Sequence, residues 1–334
     1  LKSITKFCQL DAQIADNRWD ADKDWLVCTN GALHIPTMTL EGHRPCIYAT
    51  SGVDYAYDPE AACPNWNRAM ADLAARTSQG VVDFLQEFAG YALTTCTKHE
   101  ISVWLYGAPG SGKSTIITGI EAMLSDRVAQ LGLAQIDGNR FALSNLPGKT
   151  LVISTEQPSG YIQAVGVLNA IISGETVTVE VKYKNSYDMT PAAKIMWAMN
   201  ELPRVGDANS GLFRRVKVIE FPKAIPDGKK DLDLKDKIKA EAPGILNWAL
   251  AGLKRLNERG RFVIPPEIVA ATDDYQKTND VPAQFVDEKC VEGANASGEQ
   301  YQVKSSLLYD EYKNWCLDTG HKPMSLTSVS REWK

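Results

Sequence analysis

The sequence predicts an α/β fold built on a largely parallel sheet, with a mainly helical region before it and a small helical module after it. Three observations carry this. Between residues 96 and 222 short apolar runs alternate with helical stretches, the pattern of a sheet covered by helices. One run, 101–106, leads directly into a glycine-rich turn that opens a helix. From 64 to 92, and again from about 240, apolar residues recur at spacings of three and four.

Taken in order, 25–28 and 47–50 read as short strands separated by turns. A helix begins at Pro64, with Trp66, Met70, Leu73 and Ala74 on one face, and a second covers 81–92 with Phe84, Leu85 and Phe88. The strands of the central layer are 101–106, 150–154, 194–199 and 216–221, and a helix occupies 115–124. A charged linker, 223–239, precedes a helix carrying Ile245, Leu246, Ala249, Leu250 and Leu253. Pro265-Pro266 opens a further helix, 293–298 is a polar loop, and 307–317 is amphipathic with Leu308, Tyr312 and Trp315. The domains read as 1–95, mainly helical; 96–260, the α/β core with a helical lid; and 261–334, a C-terminal helical module.

Composition bounds the function. With 334 residues and 44% hydrophobic content, the chain can form two or three ordinary domains. A net charge of −5 argues against broad, non-specific nucleic-acid binding, but leaves room for a local positive lining of a channel. The seven cysteines, Cys8, Cys28, Cys46, Cys63, Cys96, Cys290 and Cys316, are scattered and form no C-x-x-C pair. They read as isolated thiols in a reducing cytosol, even though His34 and His43 fall between Cys28 and Cys46. No secretory leader or membrane-length apolar run is visible, so the expectation is a cytoplasmic protein without a membrane partner. The first residue is Leu1, which suggests a piece of a longer chain.

The turn is Gly107-Ala108-Pro109-Gly110-Ser111-Gly112-Lys113-Ser114-Thr115, which fits G-x-x-x-x-G-K-[ST]. Glycines let such a loop wrap phosphate with its backbone N–H groups inward, and the helix that follows adds positive charge at its N-terminus. Lys113 is expected at the β- and γ-phosphates of ATP, and Ser114 at Mg²⁺. Glu156, closing the strand Leu151-Val152-Ile153-Ser154, is the candidate general base and second metal-site residue; an ordinary exposed glutamate is the alternative. Asn200, closing 194–199, is the candidate group that orients water, against the use of Asn to open a turn before Pro203. Arg214 and Arg215 precede the fourth strand. One of them, Arg215 first, is the candidate finger reaching a neighbouring subunit's nucleotide; a salt-bridged strand edge is the alternative.

Between Glu156 and Asn200, residues 176–181 alternate as a strand and then turn basic and aromatic. This reads as a hairpin with Lys182 and Lys184 near its tip. Its lysines would grip a phosphate backbone and Tyr187 would stack on a base; a solvated charged turn is the alternative.

Together the stretches LYGAPGSGKST, LVISTE, ISGETVTVEVKYKN, IMWAMNELP and GLFRRVKVIEFP resemble the superfamily 3 helicases, in particular the helicase half of phage and plasmid primase–helicases related to the poxvirus-type primase/NTPase. WLVCTNGALHI, AACPNW and FLQEFAGYALT resemble the domain preceding the motor in that family. The resemblance implies a P-loop, AAA+-like (superfamily 3) ATPase core and a C-terminal winged-helix-like module. It also implies ATP and Mg²⁺ as cofactors, a homo-oligomeric ring, normally a hexamer, and ATP-driven movement along single-stranded DNA, with a primase domain upstream. It assigns Lys113 and Ser114 to nucleotide, Glu156 to the acidic motif, Asn200 to the sensor, Arg215 to the finger, and Lys182 and Lys184 to the DNA hairpin. The sequence departs from the family at Thr155, where many relatives carry a second acid. The rival readings are a non-helicase AAA+ ATPase, either a loader or a remodeller, and a nucleotide-gated assembly module.

Overall fold

A computed structural model describes residues 24–333, apart from 45, 158, 159, 163, 164, 206–210, 223, 227–230, 292 and 295–297. The start of the 1–95 region with Cys8, and parts of the 223–239 linker and of the 293–298 loop, therefore lie outside the described residues.

The described N-terminal part opens with an antiparallel meander, β1 (Trp25–Cys28), β2 (Gly31–His34) and β3 (Thr39–Glu41), in register Leu26↔Leu33 and Leu33↔Leu40. The strand expected at 47–50 does not form. A strand needs a neighbour to hydrogen-bond, and here the chain turns instead onto the core. Ser51 Oγ donates to Gly148 O at 2.8 Å and Gly52 N donates to Asp126 Oδ1 at 2.9 Å.

Two helices follow, α1 (Pro64–Arg76) and α2 (Gln79–Ala92), then β4 (Ser102–Gly107) and α3 (Lys113–Leu124). Next come β5 (Val128–Gln130), α4 (Leu133–Gly138), β6 (Leu151–Ser154), β7 (Tyr161–Ile162) and α5 (Val165–Ser173). The core continues with β8 (Val177–Val179), β9 (Tyr187–Met189), β10 (Lys194–Met199), β11 (Arg204–Val205), α6 (Leu212–Arg215) and β12 (Val216–Phe221). Then come α7 (Leu234–Ala240), α8 (Ala242–Arg259), α9 (Pro266–Asn279), α10 (Val281–Lys289), α11 (Ser305–Thr319) and α12 (Leu326–Glu332).

The central sheet is parallel throughout, in the order β12-β4-β10-β6-β5. All six residues of β10 are buried, as a strand with both faces covered requires. Alternate residues go to opposite faces. Val103 and Leu105, with Met196 and Ala198, join a core shared with α1, α2, α3 and α8. Trp104, with Ile195 and Trp197, joins a second core with α5 and α9.

Packing crosses both domain boundaries drawn from the sequence. Residue 95 does not separate two cores, because Trp66, Phe84 and Phe88 sit in one cluster with Leu105, Ile117 and Ile245. Trp66 reaches the helix behind the glycine-rich loop because α3 carries Gly119 there; a Cβ at that position would stand 2.3 Å from the indole. Packing with the core also continues past 261. Helix α9 lies along edge strand β12, whose Val218 N donates to Thr272 Oγ1 at 3.1 Å, and Tyr275 is buried in the second core. An edge strand must be covered or blunted, and α9 covers this one. The separate module is α10–α12, with its own cluster of Phe285, Tyr312, Trp315, Cys316 and Val329 and one isolated bridge, Ala294 to Gln300. Among the described residues no helix is long and apolar enough to cross a membrane.

Candidate functional site

Sheet topology decides where a ligand can sit. The chain leaves β4 for the far edge, β5, returns through β6 and β10 to β4, and then crosses to β12. Connections therefore diverge from either side of β4, and the crevice at the carboxyl ends of the strands there is the ordinary ligand position in an open parallel sheet. The glycine-rich loop occupies it.

The loop takes backbone conformations that side chains avoid: φ is +144° at Gly107, +74° at Gly110 and +101° at Gly112. Gly107 lies against Phe221 of β12, and a Cβ there would fall 2.4 Å from the Phe221 carbonyl oxygen. Gly112 is the N-cap of α3 and supplies no side-chain cap, so the first N–H groups of a 12-residue helix face the loop. An anion is the natural occupant of such a helix start.

Lys113, first residue of α3, is buried. Its Nζ donates to Gly107 O at 2.6 Å, Ala108 O at 2.9 Å and Asn200 Oδ1 at 3.0 Å, with Ser111 Oγ at 3.5 Å. No carboxylate among the described residues forms an ion pair with it. Burial pushes the amine below the ordinary lysine range. A buried cation held only by neutral oxygens, at the mouth of an uncapped helix, is the donor set that a polyphosphate would complete. Ser114 is half-buried beside it on α3.

Register explains Asn200. Met199 pairs with Tyr106, so the residue after β10 arrives level with the first residue of the loop. Glu156 reaches the same edge one strand further out, because β6 lies beyond β10. It is exposed, and Ser154 Oγ donates to its backbone carbonyl at 2.9 Å. The next residue, Gln157, is buried and accepts Leu133 N at 2.9 Å, anchoring this stretch to α4.

The arginine pair sits elsewhere. Both precede β12 at the amino edge of the sheet, where Val216 pairs with Ser102, about 16 Å of strand away from the loop. Arg215, the first choice for a finger, is held by partners within its own chain. Its side chain is 8% exposed and closed inward, with Nη2 2.8 Å from Glu100 Oε2, Nε on Ser173 Oγ at 2.9 Å and Nη1 on Gly211 O at 2.8 Å. Arg214 is 69% exposed, with Glu100 at 3.7 Å.

The hairpin expected between Glu156 and Asn200 is present. β8 and β9 pair antiparallel in register Val177↔Met189 and Val179↔Tyr187, with Val177 and Val179 buried and Thr178 outward. The first strand is shorter than expected and ends at Val179. Lys182 and Lys184 lie in the exposed turn. Tyr187 stands in β9, 42% exposed. Sequence reasoning passed over Tyr183, which is 93% exposed at the tip with φ +63° and the Lys182 ammonium 5.1 Å from its ring centre. It also passed over Arg76, whose Nη1 donates to the loop carbonyl of Ser111 at 3.0 Å. An aromatic between two lysines in a turn was a legible signal for Tyr183; nothing local marked Arg76.

Comparison with known proteins gives matches of three kinds. Residues 1–74 match a D5 N-terminal-like domain, and residues 105–215 match a family of unknown function, DUF5906. The chain is 26% identical over 215 residues to helicase-named protein 022R of Frog virus 3 (isolate Goorha), covering 57% of this chain and 22% of that one. It is 24% identical over 181 residues to helicase-named 121R of Invertebrate iridescent virus 3, covering 46% and 19%. It is 23% identical over 259 residues to helicase-named L207/L206 of Acanthamoeba polyphaga mimivirus, covering 69% and 27%. The chain thus spans about a quarter or less of the length of these relatives. Its fold is similar to an apo structure of the NrS-1 C-terminal region, with a TM-score of 0.58 at 15% identity over 96% of this chain and 71% of that one.

Proposed function

We propose that this chain, which belongs to the phage and viral primase–helicase family, is an ATP-hydrolysing motor that moves along single-stranded DNA as a ring, in the manner of superfamily 3 helicases. One observation carries the reading. Lys113, the loop carbonyls and Asn200 converge at the switch point of a parallel sheet, beside an uncapped helix start.

The residues divide the work. Lys113 and the loop N–H groups would hold the β- and γ-phosphates, and the Ser114 hydroxyl would hold Mg²⁺, whose charge offsets that of the phosphates. Asn200, already bonded to Lys113, orients the attacking water without adding charge. Glu156 takes its proton. Thr155 supplies no second carboxylate, so Ser114 would be the main protein group to hold the metal. Arg214, exposed at the amino edge and far from its own loop, serves a neighbouring copy. That division of labour makes an oligomer necessary for full activity. The hairpin presents Lys182, Tyr183 and Lys184 to DNA.

The test is ATP hydrolysis measured with and without single-stranded DNA, with the oligomer followed by light scattering in the same buffer. Hydrolysis that rises with DNA, together with a ring-sized particle, is expected. Hydrolysis indifferent to DNA would favour a loader or remodeller, and slow turnover with ATP-dependent assembly would favour a nucleotide-gated module. No affinity for Mg–ATP would end the reading altogether.

A further inference from the structure

The carbonyls of the glycine-rich loop are held from two sides. Lys113 takes Gly107 O and Ala108 O from within. From outside, Ile225 N donates to Gly110 O at 3.0 Å and Arg76 Nη1 donates to Ser111 O at 3.0 Å. Arg76 is the last residue of α1, and its guanidinium is itself oriented by Asp72, whose Oδ2 lies 3.1 Å from Nε. A Cβ added to Gly112 would come 3.6 Å from Arg76 Nη2, so the guanidinium lies over the Ser111–Gly112 peptide.

A trans peptide is planar, with its C=O and N–H pointing opposite ways. Drawing Ser111 O towards α1 therefore turns Gly112 N–H to the other side, and Ile225 does the same for Ser111 N–H. When Lys113 leaves its carbonyls for phosphate, these outer contacts keep the two amides aimed. The Arg76 side chain is 22% exposed, and Asp72 balances its charge, so its part here is to orient the peptide. We infer that Arg76 is a positioning residue of the nucleotide site, contributed by the helical region ahead of the core, and that it presets the Gly112 amide for phosphate. This rests on the reading of the loop as an ATP site.

The test compares binding of a fluorescent Mg–ATP analogue and steady-state hydrolysis in the unaltered chain, Arg76→Ala and Arg76→Lys, with a ligand-free melt of each. Loss of a charge-assisted hydrogen bond predicts about tenfold weaker binding and a raised KM in Arg76→Ala. We expect kcat to fall less than KM rises, Arg76→Lys to recover part of the loss, and the ligand-free melts to coincide. Binding in Arg76→Ala within twofold of the unaltered chain overturns the inference. So do equal losses in both variants matched by equal drops in melting temperature. If Arg76→Ala fails to fold, Asp72→Asn carries the test: it leaves the guanidinium but frees it to swing. Weaker binding there supports the inference and unchanged binding overturns it. An unaltered chain that binds no Mg–ATP refutes the site itself, a result distinct from either outcome for Arg76.

Discussion

The amine of Lys113 lies 3.0 Å from the side-chain oxygen of Asn200, joining the helix after β4 to the end of the neighbouring strand β10. The contact brings together the lysine proposed to hold phosphate and the amide proposed to orient water, with the lysine charge resting on neutral oxygens.

Lys113→Ala is therefore expected to lower ATP hydrolysis by about 10³-fold, the scale for losing a preorganised charged donor at the reacting centre. Asn200→Ala should reduce kcat by about 10²-fold and leave nucleotide binding nearly intact, since misplacing one reactant by about an ångström costs that much. A coupled phosphate-release assay separates the two. If Asn200→Ala raised KM at unchanged kcat, the water-orienting role would be wrong.

The arginine pair should divide along its burial. Arg214→Ala is expected to keep its melting temperature and to lose about 10³-fold in hydrolysis, the lower end of the finger range. Mixing it with a Lys113→Ala chain should restore part of the activity, because each copy then lends its neighbour the missing part. Arg215→Ala should instead lower the melting temperature, as it strips partners from Glu100, Ser173 and Gly211. Full hydrolysis in Arg214→Ala would remove the finger from this arginine.

Replacing Lys182 and Lys184 together by Ala should weaken single-strand binding and flatten its dependence on log salt concentration by roughly 1.4, or 0.7 per phosphate contact. Basal hydrolysis should persist. Tyr183→Ala should cost about 1–3 kcal/mol of binding if a base stacks on the ring. A double lysine variant that unwinds forked DNA at the original rate would count against the hairpin as the grip.

Gly119→Ala tests the coupling of the preceding helices to the α/β core. Alanine alone would favour α3 by about 1 kcal/mol. Here its methyl would meet the fully buried ring of Trp66 at 2.3 Å, and overpacking of this kind costs about 1–3 kcal/mol. The urea midpoint should therefore fall. A rise would mean that Trp66 moves aside freely.

Much of the local structure was legible in the sequence, though the strand expected at 47–50 does not form. The glycine-lysine spacing named the loop, and apolar runs gave β10 and β12 to the residue: β10 is buried on both faces, whereas edge strand β12 keeps Val216, Val218, Ile219 and Phe221 buried around half-buried Lys217 and exposed Glu220. The switch from alternation to a basic, aromatic run marked the hairpin. Edge strand β5, three residues long, left too little pattern to find. What only the tertiary structure decided were relations between distant segments. These are which arginine of the pair is sealed against Glu100, that α9 covers β12 and belongs to the core, and that Arg76 of α1 grips the loop 35 residues on. Spacing and periodicity record how a segment meets its own neighbours along the chain. Burial and partnership depend on which remote surfaces close over it, and adjacent residues such as Arg214 and Arg215 carry no local mark of that difference.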